Sequence, residues 1–127
     1  MSKNTDDKTA LPVRKIFIVD DDVSMGRSLE FLLTTYGYEV ETFSSGPDFF
    51  RAVAPEDSGL LILDIHMPGM DGFQIQEKCG AKRRIIMMTA HSVEGQKERA
   101  LRAGAMGFIS KPFRERDLLA MIEQAFA

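Results

Sequence analysis

"GLLILDIHMPGMDG", Gly59–Gly72, sets an unbroken apolar run against a loop dense in glycine and proline, with one aspartate, Asp64, at the junction. A short apolar run bounded by turn signals suits a strand covered on both faces, as in a parallel sheet. "HMPGMDG" can continue neither a strand nor a helix and reads as a loop. The carboxylate at the junction is the informative feature, because burying one is costly without a partner.

The same arrangement recurs on either side. Toward the N-terminus, "KIFIV" is a second apolar run, and it ends in Asp20, Asp21 and Asp22. Between the two lie a helical stretch from Ser24, with Met25, Leu29, Leu32, Leu33 and Tyr36 on one face and Gly37 as its stop, and an alternating strand, "YEVETF". "SSGPD" interrupts the chain there, and "DFFRAVA" reads as a short helix stopped before Pro55.

Toward the C-terminus, "FQIQEKCG" offers at most a short helix. "RRIIMMTA" is another apolar strand, and "VEGQKERALRAG" an amphipathic helix with a glycine stop. "AMGFIS" is the last strand, "KPF" a turn, and "RERDLLAMIEQAFA" the closing helix, in which Asp117 opens the apolar stripe. The segment "FQIQEKCGAKRR" is compressed, which predicts a short or irregular third helix. Gly107 is expected to loosen the last strand, and Gly26 to cost its helix about 1 kcal/mol relative to alanine. Strand and helix thus alternate five times. That order predicts one α/β domain: a doubly wound parallel sheet with right-handed crossovers and helices on both faces.

Bulk properties agree and exclude other classes. The chain has 127 residues, 44% hydrophobic and 28% charged, enough for one closed core. A net charge of −3 argues against direct nucleic-acid binding, which needs a basic patch. The single cysteine, Cys79, excludes an intrachain disulfide and has no neighbours at metal-ligand spacing. No run approaches the ~20 apolar residues of a membrane span, and the polar N-terminus lacks a signal-peptide core. Residues 1–14 read as a flexible leader, and the expected location is the cytoplasm.

In such sheets ligands bind outside the carboxyl ends of the strands. Asp20, Asp21 and Asp22 follow the first strand and Asp64 the third; Thr89 ends the fourth, and Lys111 follows the fifth. Clustered carboxylates without compensation raise one another's pKa or destabilise the fold. A divalent cation such as Mg2+, which favours carboxylate and water oxygens, would resolve this. A lysine and a hydroxyl at the same edge suit phosphoryl oxygens, so the ensemble points to metal-assisted phosphoryl transfer with Asp64 as nucleophile. Taken singly, each residue has an ordinary explanation, such as a helix cap or a solvated lysine. Jointly, chance would have to place them all on one edge.

"IVDDD", "LILDIHMPGMDG", "MMTA" and "GAMGFISKPF", in this order and spacing, resemble the receiver domain of bacterial two-component response regulators. The resemblance runs from Lys15 to the C-terminus, so residues 15–127 are assigned to the domain. It implies a chemotaxis-regulator-like fold with the flavodoxin-like strand order 2-1-3-4-5. Asp64 would be the phosphoacceptor. Asp20 and Asp21 would be the metal-binding acids, joined by Asp64 and the backbone carbonyl of His66, with Mg2+ or Mn2+ as the cofactor. Thr89 would be the switch hydroxyl, Phe108 the aromatic that follows it, and Lys111 the phosphate-contacting lysine, with a cis Lys111–Pro112 bond. The implied donor is a sensor histidine kinase. The implied output is a change in the surface of the fourth helix, fifth strand and fifth helix, which could pair into a homodimer on phosphorylation. Lys97, Glu98, Arg99 and Arg102 of the amphipathic fourth helix read either as such a pairing surface or, more commonly, as a solvated polar face. A switch of this kind is not an enzyme beyond self-phosphorylation from small phosphodonors and self-dephosphorylation.

The chain has two histidines, His66 and His91, each two residues beyond a proposed site residue. The family places such positions at the entrance to the phosphoryl group; the alternative is a pair of exposed loop residues. Asp22 is expected to cap the first helix instead of joining the metal pair. Three rivals share parts of the pattern. A haloacid-dehalogenase-type phosphatase would carry a second aspartate where His66 stands. A flavodoxin-like cofactor binder would carry a Gly/Ser/Thr-rich loop where the three aspartates stand. A receiver working without phosphate would not need the full set of polar residues. No output segment follows Ala127, so the chain reads as a single-domain regulator or as part of a longer protein.

Overall fold

In the computed structural model, which describes residues 14–127, every apolar run becomes a strand. These are β1 (Lys15–Val19), β2 (Glu39–Phe43), β3 (Leu60–Asp64), β4 (Ile85–Thr89) and β5 (Gly107–Ser110). All pair in parallel, in the order β2-β1-β3-β4-β5. The leader lies outside the described residues, apart from its last residue, Arg14.

Side chains alternate across a strand, so each strand feeds two cores. Phe17, Val19, Leu61 and Leu63 face one way, against Phe49 of α2 (Gly46–Ala52), Ile75 of α3 (Gly72–Cys79) and Ala100 of α4 (Gln96–Arg102). Ile16, Ile18, Leu60 and Ile62 face the other, against Leu29 and Leu33 of α1 (Val23–Thr35) and Leu118 and Ile122 of α5 (Glu115–Phe126). β3 and β4 are buried at every position, which is why their sequences are continuously apolar. Truncating a fully buried residue such as Leu33 or Ile62 to alanine would cost about 2–5 kcal/mol.

Several boundaries differ from the sequence reading. "SSGPD" starts a helix: the Ser45 hydroxyl accepts from Asp48 N at 3.2 Å, and proline sits in the first turn, where its missing N–H costs nothing. α4 begins only at Gln96, because Gly95 takes a left-handed conformation with φ +90°. The compressed third helix is indeed short, and a 3-10 turn, Gly80–Lys82, follows it. Gly107 opens β5 in register with Ile86. A Cβ there would lie 3.1 Å from Met121 Sδ of α5, so a side chain would require Met121 to shift by a few tenths of an ångström.

Candidate functional site

Parallel pairing brings the ends of all strands to one edge, and there Asp20, Asp64 and Thr89 are buried. Asp20 directly follows β1, tied to the sheet by its N–H donating to Phe43 O at 3.1 Å. Its Oδ1 accepts from Asp22 N at 2.9 Å, and its Oδ2 accepts from Lys111 Nζ at 2.9 Å. Asp64 ends β3, with Oδ1 at 3.4 Å from the same Nζ. Lys111 reaches this position because its own N–H donates to Thr89 O at 2.7 Å, beyond the end of β4. The Lys111–Pro112 bond is cis, as the family resemblance implies.

One lysine therefore faces two buried carboxylates, and exposed Asp21 adds a third acid. One oxygen from each of Asp20, Asp21 and Asp64 lies within 4.8 Å of the others. Burial, and then the charge of Asp20, push the Asp64 carboxyl up to about 6, although Lys111 pulls the other way. Burial works against the Lys111 ammonium, yet the hydrogen bond and charge of Asp20, with those of Asp64, raise it above its ordinary value. The carboxylates outnumber the cation in a poorly solvated place. A hard divalent cation accepting carboxylate oxygens fits this donor set and would relieve the excess charge.

Thr89 is fully buried, and its hydroxyl is turned into its own loop: it donates to His91 O at 3.0 Å and accepts from His91 N at 3.2 Å. Phe108 is half-buried on the same sheet face, in register with Met87 and packed on the core that contains Phe17. The His66 and His91 side chains are both exposed. His66 Nε2 lies 3.2 Å from Gln96 Nε2, linking the loop after β3 to the start of α4. Asp22 stands apart from the other two acids as the α1 cap, its Oδ1 accepting from Met25 N at 3.2 Å.

The sequence reading missed two supports. Gly72 lies so close to the end of β3 that a Cβ would sit 2.6 Å from Asp64 O and 2.8 Å from Ile65 Cα. Its N–H donates to Ile65 O at 2.9 Å, which fixes the backbone carrying Asp64. Asp71 and Gln74 form a reciprocal capping box that starts α3 at this point, with distances of 2.9 and 2.8 Å. The signal was present: "DGFQ" has the spacing of such a box.

The family model of the response regulator receiver domain matches residues 16–123. The response regulator protein TmoT of Ectopseudomonas mendocina is 40% identical over 113 residues, covering 87% of this chain and 51% of that protein. Among solved structures, the response regulator StyR is 42% identical with a TM-score of 0.80, over 89% of this chain and 59% of that one. A CheY-like receiver domain protein from Methanospirillum hungatei JF-1 is 32% identical with a TM-score of 0.82, over 90% and 94%. The chain spans about half the length of the curated relatives it matches. Among the described residues, no helix is long and apolar enough to cross a membrane. By sequence and fold together, the chain belongs to the response regulator receiver domains of two-component systems.

Proposed function

We propose that this domain accepts a phosphoryl group on Asp64 from the phosphohistidine of a sensor histidine kinase. The observation that carries the reading is the Asp64 carboxylate itself, buried beside Asp20 and within reach of Lys111 Nζ at 3.4 Å. Titrating at about 6, Asp64 is ionised at neutral pH and so available as a nucleophile. Its oxygen forms the new bond to phosphorus while the P–N bond breaks; the departing imidazole keeps that electron pair and takes up a proton. Lys111 places positive charge beside the phosphoryl oxygens. Asp20, Asp21, Asp64 and the His66 carbonyl would hold Mg2+ or Mn2+, which supplies further charge neutralisation at those oxygens.

The same reading gives Thr89 and Phe108 their roles. A phosphoryl group on Asp64 offers the Thr89 hydroxyl a charged acceptor in place of the His91 carbonyl. Turning toward it draws the loop after β4 inward and frees space on the face that Phe108 shares. The surface of α4, β5 and α5 then differs between the two states, and a partner or a second copy reads the difference. Support for this output rests on the family and on the placement of Thr89.

The test uses phosphoramidate, a small donor with the same P–N bond, in the presence of Mg2+. Intact-mass analysis should show one added phosphoryl group on the wild-type chain and none on Asp64→Asn. Equal labelling of the variant would sink the assignment.

A further inference from the structure

A cleft of about 280 Å³ opens between α2 and α3, away from the carboxylate edge. Pro55, which precedes β3, and Arg83, which precedes β4, place it toward the opposite end of the strands. Its floor is apolar: Phe49, Phe50 and Val53. Its rim carries three cations, Lys78, Lys82 and Arg83, and no carboxylate lines it, in a chain of net charge −3.

Two of the cations are poised over the floor. Arg83 Nη1 donates to Gly59 O at 3.3 Å and Nη2 to Ala54 O at 3.4 Å, which hold its guanidinium 5.5 Å from the Phe49 ring centroid. Lys78 Nζ lies 5.6 Å from the Phe50 centroid. Among the described residues, none of the three pairs with an acid. A concave, mostly apolar lining with a few charged groups at its rim is a common form of small-ligand site. The Lys78 ammonium, resting on an aromatic face alone, is held weakly enough for an anion to recruit it, while Arg83 presents a fixed charge beside it.

We propose that this cleft binds a small amphipathic carboxylate. Its apolar body lies on Phe49, Phe50 and Val53, and its carboxylate faces Lys78, Lys82 and Arg83. Binding here requires no phosphorylation, so it stands independently of the role of Asp64.

Cys79, the chain's single cysteine, lines the same cleft and reports on it. Burial holds its thiol above the ordinary value, with Arg83 opposing, which slows its alkylation by iodoacetamide. The probe is 1-naphthoate, and 1-naphthalenemethanol is its uncharged counterpart. The readout is the ratio of alkylation rates without and with the probe, which cancels any change in intrinsic thiol reactivity. At ten times its Kd, 1-naphthoate should slow alkylation by about tenfold. The exposed pair Lys78→Ala/Lys82→Ala should weaken 1-naphthoate about tenfold or more while leaving the fold intact. The alcohol at the same concentration should protect far less. Alkylation indifferent to 1-naphthoate, equal protection by the alcohol, or full protection in the double variant would each overturn the proposal.

Discussion

Replacing Asp64 with asparagine should make the metal-free protein more stable, not less. The Asp64 carboxyl moves from its ordinary value of 3.8 to about 6 because it is buried beside Asp20. A raised folded-state pKa means the native state holds this proton more tightly than the unfolded chain does. The associated stability is complete below 3.8 and is lost as pH rises through about 6. At about 1.4 kcal/mol per tenfold change in proton affinity, the ionised carboxylate costs the fold roughly 3 kcal/mol at neutral pH. Asparagine keeps the shape and removes the charge. For a chain of this size a gain of 2–3 kcal/mol corresponds to roughly 8–12 °C in Tm. The assay is thermal unfolding of both proteins in EDTA at several pH values. The Tm difference should be large near pH 8, shrink as pH falls below about 6, and be mostly gone near pH 4. Saturating Mg2+ should raise the wild type by about 3 kcal/mol at a hundredfold excess over its Kd and affect the variant far less. A variant no more stable than wild type at pH 8 in EDTA, or a difference independent of pH, would refute the reasoning.

Other consequences follow from the same contacts. Lys111→Met removes the only cation between Asp20 and Asp64 among the described residues. Metal-free stability should fall by about 3 kcal/mol in chemical denaturation, with part of the loss restored by Mg2+. Gly72→Ala forces a Cβ to 2.6 Å from the Asp64 carbonyl. The backbone has to shift, at about 1–3 kcal/mol, and the rate of phosphoryl acceptance should drop with it, as read by denaturation and by initial labelling rate. Thr89→Ala loses both hydrogen bonds to His91. It should still take up a phosphoryl group, but the chemical-shift changes in α4, β5 and α5 should disappear; an unaltered response would remove Thr89 from the switch.

The architecture was legible because it depends on patterns that are local in sequence. Continuous apolar runs in β3 and β4 reflect burial on both faces, and the 3.6-residue stripe of α5 reflects one buried face. Strand order leads directly to the shared edge, so sequence alone gathers Asp20, Asp64, Thr89 and Lys111 there. Asp22 could be set apart as a cap for the same reason. What escaped depends on contacts between distant segments or on single backbone angles. The start of α4 turns on the left-handed Gly95, and "GQKE" does not announce that. That Met121, from another element, lies over Gly107 is likewise not encoded in the strand's own residues. The pKa of Asp64 is set by burial and by its distances to Asp20 and Lys111, which no spacing encodes. The cationic cleft joins residues of α2 to the end of α3 and the approach to β4, so its charges read in sequence only as ordinary surface lysines and arginines.

The central claim is that the Asp64 carboxylate, and no other acid at this edge, forms the bond to phosphorus. Borohydride reduces an acyl phosphate to an alcohol, converting a phosphorylated aspartate into homoserine. The wild-type chain, treated with phosphoramidate and Mg2+, reduced and then sequenced by mass spectrometry, should carry homoserine at position 64 and at no other position. Homoserine at Asp20 or Asp21, or none in a chain that has gained the phosphoryl mass, would contradict it.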